Sequence, residues 1–137
     1  MVRTIERKTI TMTAKQILVI DDEDDIRKLI QTCLEIMGGW QVLTATSGHE
    51  GLLLAQAAQP DAILLDVMMP EIDGPTTFQE LQANPATRDI PVILLTARGQ
   101  SADHRLFAQL GVTGVINKPF NPHKLADQVA AALGSSV

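Results

Sequence analysis

Five short apolar runs, each followed by a stretch of helical period, constrain this chain more than any other feature. Ile17-Leu-Val-Ile20, Val42-Leu-Thr-Ala45, Ala62-Ile-Leu-Leu65, Val92-Ile-Leu-Leu95 and a briefer run over 114–116 are apolar along nearly their whole length instead of alternating with polar residues. A strand without a polar face is buried on both sides, and that requires helices above and below one parallel sheet. The pattern predicts an α/β fold, a doubly wound five-stranded parallel sheet with right-handed crossovers. Periodicity alone leaves the strand order open.

Punctuation between the runs supports the same reading. The first helical stretch runs to about Met37 and is stopped by Gly38-Gly39; Ser47 and Glu50 have the spacing of a capping box before Leu52, Leu53 and Leu54. The third helix is expected from about Pro75. A short helix is expected over Ser101 to Leu110, ended by Gly111. Asn121-Pro122 reads as the cap and first turn of the last helix.

At 137 residues and 45% apolar content the chain suits one compact domain, read here as residues 16–137 behind an extension of residues 1–15. Arg3, Arg7, Lys8 and Lys15 face only Glu6 in that extension, so of the formal charge of -5 the rest of the chain holds -8. An acidic body repels phosphate backbones, which argues against direct nucleic-acid binding, and it attracts divalent cations and basic protein surfaces. No apolar run approaches the roughly 20 residues that span a bilayer, and the N-terminus has no continuous apolar signal segment, so no membrane insertion and a cytoplasmic location are expected. Cys33, the single cysteine, falls in an apolar helical pattern and is expected to be a buried thiol.

In an open parallel sheet, ligands bind beyond the carboxyl ends of the strands. The residues there are Asp21 and Asp22 after the first run, Asp66 after the third, Thr96 after the fourth and Lys118 after the fifth. Three carboxylates in one place repel one another, and a hard dication with oxygen ligands offsets that repulsion; Mg²⁺ is the natural candidate. With Thr96 and Lys118 available to phosphoryl oxygens, one carboxylate is left as a nucleophile, which is the chemistry of phosphoryl transfer to aspartate. Spacing does not choose among the three. Glu23, Asp24 and Asp25 read as solvated charges at a helix start, and His49, His104 and His123 as surface residues.

Asp21-Asp22, Leu65-Asp66-Val67-Met68-Met69-Pro70 with Asp73-Gly74, Leu95-Thr96-Ala97 and Lys118-Pro119-Phe120 occur in this order at successive strand ends. Together they resemble the receiver domain of response regulators in two-component signalling, over about residues 16–133. The resemblance implies a flavodoxin-like (βα)5 fold with Asp66 as phosphoacceptor. Asp22 would ligate Mg²⁺ directly, Asp21 through its solvation shell, and the Met68 carbonyl would be a further ligand. It also implies contacts from Thr96 and Lys118 to the phosphoryl group and a cis bond before Pro119. The expected protein is a single-domain regulator without an output domain: no enzyme acting on a separate substrate, but a module that assists its own phosphorylation and dephosphorylation. A sensor histidine kinase or histidine phosphotransfer protein would supply the phosphoryl group, and a downstream protein would read the result. A receiver-like module that never carries phosphate and a small flavodoxin-like enzyme are the alternatives. The complete site argues against the first; Asp21 to Asp25, standing where a Gly-rich phosphate loop belongs, argues against the second. In the family, Met68 and Arg98 occupy positions that modulate hydrolysis. Val115 stands where receivers usually carry an aromatic switch residue, which implies weaker coupling to the face beside the fifth strand.

Overall fold

The structure is a computed structural model that describes residues 15–97 and 109–134. The extension up to residue 14, Arg98, His104, the loop as far as Asp103 and most of the helix expected over Ser101 to Leu110 lie outside the described residues; Gln109 and Leu110 are helical.

The five runs are strands: β1 (Gln16–Ile20), β2 (Gln41–Ala45), β3 (Ala62–Asp66), β4 (Val92–Ala97) and β5 (Gly114–Lys118). Between and after them lie α1 (Asp24–Ile36), α2 (Gly48–Ala58), α3 (Gly74–Ala83) and α4 (Leu125–Ala132). All pairings are parallel, in the order β2-β1-β3-β4-β5. The doubly wound expectation is met. The order supplies what periodicity left open: the chain steps from β1 to one side and returns to the other, which opens a crevice between the carboxyl ends of β1 and β3.

Because successive side chains on a strand point to opposite faces, each apolar run feeds two cores. Ile17, Val19, Leu64, Ile93, Leu95 and Ile116 pack with Ile30, Cys33 and Leu34 of α1 and with Leu125, Ala126 and Val129 of α4. Leu18, Ile20, Ile63, Leu65, Val92 and Leu94 pack with Ala55 of α2 and with Phe78 and Leu81 of α3. Cys33 is buried as expected, and burial pushes its thiol up from the ordinary value. Val115 pairs with Leu94 in the sheet and packs, partly buried, against the second core. Among the described residues no helix is long and apolar enough to cross a membrane.

The local stops and starts follow the side chains. Gly39 has φ +68°, the left-handed conformation that glycine reaches without a Cβ penalty, just past the end of α1. Ser47 accepts a hydrogen bond from the Glu50 N–H at 3.1 Å, half of the expected capping box. The Glu50 carboxylate turns instead to the N–H and hydroxyl of Thr46, at 2.7 and 3.0 Å. Asp73 caps α3 by accepting from the Thr76 N–H at 2.9 Å, with Pro75 in the first turn. The expected start of the last helix is corrected. Asn121 Oδ1 accepts from the His123 N–H at 2.9 Å and closes a separate turn, and the α-helix begins at Leu125.

Gly74 ties this framework to the end of β3. A Cβ there would lie 2.5 Å from the Asp66 carbonyl oxygen and 2.7 Å from the Val67 Cα, so backbone atoms would have to move. Gly74→Ala is therefore expected to cost about 1–3 kcal/mol, as overpacking does. Urea unfolding measures it; an unchanged midpoint would mean that the loop absorbs the methyl group.

Candidate functional site

Registered strand ends bring the four sequence segments together. Ile20 of β1 pairs with Ala45 and Leu65, Asp66 with Leu95, and Ala97 with Lys118, so Asp21, Asp66, Thr96 and Lys118 share one edge. Asp21 and Thr96 are fully buried there, and Asp66 is 3% exposed. Asp22, half-buried, completes the group: carboxylate oxygens of Asp21, Asp22 and Asp66 lie within 4.8 Å of one another.

Lys118 crosses this cluster. Its Nζ lies 3.2 Å from Asp66 Oδ1, 3.3 Å from Asp21 Oδ2 and 3.5 Å from Glu23 Oε1. Burial opposes the ammonium charge, but Asp21 and Asp66 outweigh it and hold Lys118 above its usual range. Asp66 is pushed up to about 6, first by burial and then by the charge of Asp21; Lys118 and the Met68 N–H, 3.3 Å from Asp66 Oδ1, pull it down. Asp21 is tied in place: its N–H donates to the Ala45 carbonyl at 3.1 Å, and its Oδ1 accepts from the Glu23 N–H at 2.9 Å.

All five side chains singled out in the sequence, Asp21, Asp22, Asp66, Thr96 and Lys118, stand at this one edge. Met68 follows in the loop after β3, its side chain 65% exposed. The Lys118–Pro119 bond is cis. Two neighbours were not identified from the sequence. Glu23 reads as a solvated charge and is largely exposed, and from there its carboxylate also reaches Lys118. Arg27 gives no signal in the sequence except its place in the first turn of the acidic helix; its Nη1 donates to the Asp21 carbonyl at 2.9 Å.

An oxygen-only donor set of three carboxylates, two of them buried, fits a hard divalent cation and does not resemble the nitrogen and sulfur sets of zinc. Comparison with known proteins agrees with the geometry. The model of the response regulator receiver domain matches residues 17–130. The chain belongs to this family.

Among relatives of this receiver, the probable transcriptional regulator ycf27 of Guillardia theta is 39% identical over 121 residues, covering 88% of this chain and 46% of that protein. The alkaline phosphatase synthesis transcriptional regulatory protein PhoP of Bacillus subtilis (strain 168) is 38% identical, covering 89% of this chain and 50% of that protein. The receiver thus spans about half the length of the curated relatives it matches. Among solved structures, a putative response regulator from Chloroflexus aurantiacus J-10-fl superposes with TM-score 0.82 at 30% identity, over 89% of this chain and 99% of that one. The Vibrio cholerae chemotaxis protein CheY4 superposes with TM-score 0.80 at 29% identity, over 88% and 99%. The chain is a signalling module of the two-component type.

The raised Asp66 has a thermodynamic consequence without metal. Between its ordinary pKa and about 6 the folded state holds a proton that the unfolded state has lost, so stability falls as pH rises through that window. Asp66→Asn removes this penalty. In chelator at pH 7 the variant is expected to be about 1–3 kcal/mol more stable than the parent, with the gap closing as pH falls towards about 4. Urea unfolding at the two pH values checks the sign, and an Asn variant less stable at pH 7 would contradict it.

Proposed function

We propose that this receiver takes a phosphoryl group on Asp66 from a sensor histidine kinase or a histidine phosphotransfer protein and signals through contact with a downstream protein. The observation that carries the reading is the meeting of Asp21, Asp22 and Asp66 within 4.8 Å, with Lys118 Nζ 3.2 Å from Asp66. Mg²⁺ would be held by Asp22 and Asp66, by the Met68 carbonyl, and by Asp21 through its solvation shell. When bound it supplies positive charge against the crowded carboxylates and the incoming phosphoryl oxygens.

The chain's own groups do the rest. With its pKa at about 6, Asp66 is mostly ionised at neutral pH, so its oxygen lone pair is available as nucleophile. A bond forms from that oxygen to phosphorus, and the bond from phosphorus to the donor's leaving atom breaks, its electron pair staying with the donor. The product is an acyl phosphate. Lys118, kept charged by its carboxylate neighbours, is placed to shift from Asp66 to a phosphoryl oxygen, and the Thr96 hydroxyl to donate to another. Burial of Asp21, Asp66 and Thr96 strengthens these interactions by excluding water from one side of the site.

Incubation with a small phosphodonor and Mg²⁺, followed by intact-mass analysis, is expected to add one phosphoryl group. Chelation of the metal and Asp66→Asn are each expected to abolish the gain. Labelling that survives either one would overturn the assignment.

The lifetime of the phosphorylated form is expected to be long. Met68 offers a thioether, a poor hydrogen-bonding group, where a polar side chain could hold an attacking water. Met68→Asn should speed loss of the label several-fold, read by the same mass assay over time; equal or slower decay would refute the role given to methionine.

A further inference from the structure

Arg27 is out of place by the usual electrostatics of helices. It sits in the first turn of α1, where the helix dipole favours anions, and its side chain is only 11% exposed. Its guanidinium folds back towards the start of the helix. Nη2 pairs with the Asp24 carboxylate, itself 74% exposed, and lowers the pKa of that group first by hydrogen bonding and then by charge. Nη1 donates to the backbone carbonyl of Asp21 at 2.9 Å. The fork therefore bridges the exposed end of the helix and the buried end of β1.

The carbonyl of Asp21 belongs to the same rigid peptide plane as the N–H and Cα of Asp22, so fixing one fixes the point from which the Asp22 side chain leaves the backbone. Asp22 needs such support. Asp21 is anchored at its N–H by Ala45 and at its carboxylate by the Glu23 N–H and Lys118, whereas the Asp22 carboxylate has no hydrogen-bond partner among the described residues. The Asp22 carboxylate meets those of Asp21 and Asp66 within 4.8 Å from a Cα whose place depends on the Asp21–Asp22 peptide.

We propose that Arg27 is a positioning residue for divalent-cation binding, holding the Asp21–Asp22 peptide so that Asp22 presents its carboxylate to the ion. The inference rests on the reading of Asp21, Asp22 and Asp66 as the Mg²⁺ site. It makes a prediction opposite in sign to simple charge counting. Removing a cation beside an acidic cluster should by itself tighten Mg²⁺ binding, whereas removing a group that orients a metal ligand weakens it, typically by tenfold or more.

The test is titration of the full chain with Mg²⁺ alone, followed by calorimetry or by amide shifts of Asp22 and Met68. Arg27→Ala is expected to weaken binding about tenfold. Arg27→Lys, which keeps one donor for the Asp21 carbonyl, is expected to recover part of the loss. Unchanged or tighter binding by Arg27→Ala overturns the role of Arg27 while leaving the metal site standing. A parent protein that binds no Mg²⁺ overturns both, and a parent that binds Mg²⁺ but is never labelled on Asp66 overturns only the phosphoacceptor reading. Should Arg27→Ala fail to fold, Arg27→Lys is compared with Arg27→Met. Tighter binding by the lysine variant supports positioning, and tighter binding by the methionine variant, as charge alone dictates, overturns it. In the phosphodonor assay, Arg27→Lys and Arg27→Ala should raise the Mg²⁺ concentration for half-maximal labelling and leave the rate at saturating Mg²⁺ close to that of the parent.

Discussion

The repulsion between Asp21 and Asp66, buried side by side at the end of the sheet, is the interaction on which the rest of the site depends. Two carboxylates removed from water and pressed together cannot both ionise without help. Lys118 supplies part of that help within the chain, close to both. One ammonium does not fully offset the burial of Asp66 and the charge of Asp21 beside it, and Asp66 stays raised to about 6. The site is therefore left short of positive charge, which a dication would meet, while burial and the charge of Asp21 together keep Asp66 raised.

Such a deficit is tolerable only on a rigid mount. The two cores on opposite faces of the sheet clamp β1, β3 and β4 through residues that are almost all inaccessible to water. Strand-end positions are thereby fixed to the precision of the hydrogen-bond ladder, and the loops need only short local ties. Asp73 caps α3, Gly74 lets that helix start against the backbone of Asp66 and Val67, and Arg27 secures the loop after β1. Each tie is a hydrogen bond or a close backbone approach made by a residue that does no chemistry itself.

Departures from the sequence reading fall at helix starts, where several local solutions have similar energy. Glu50 prefers the N–H and hydroxyl of Thr46 to the N–H that a capping box would use. Asn121 closes a turn of its own, and α4 waits until Leu125. In both cases the side chain satisfies an N–H just before the helix, at Thr46 and at His123, and a sequence pattern does not distinguish that from a cap.

The sequence by itself determined the fold class and which polar residues the strand ends would gather. Apolar runs such as Ile17 to Ile20 and Val92 to Leu95 have one stable use in water, burial on both faces of a sheet, and a parallel sheet presents the residues after its strands at a single edge. Asp21, Asp22, Asp66, Thr96 and Lys118 were legible for that reason. Tertiary structure alone decided the strand order, because hydrophobic period says that a strand is buried but not which strand lies beside it. It also decided the parts played by Glu23 and Arg27. Glu23 meets Lys118 across 95 residues of chain, and Arg27 acts on a backbone carbonyl, a group every residue carries and no sequence pattern marks. Which charges reach the site depends on distances that exist only once the strands are side by side.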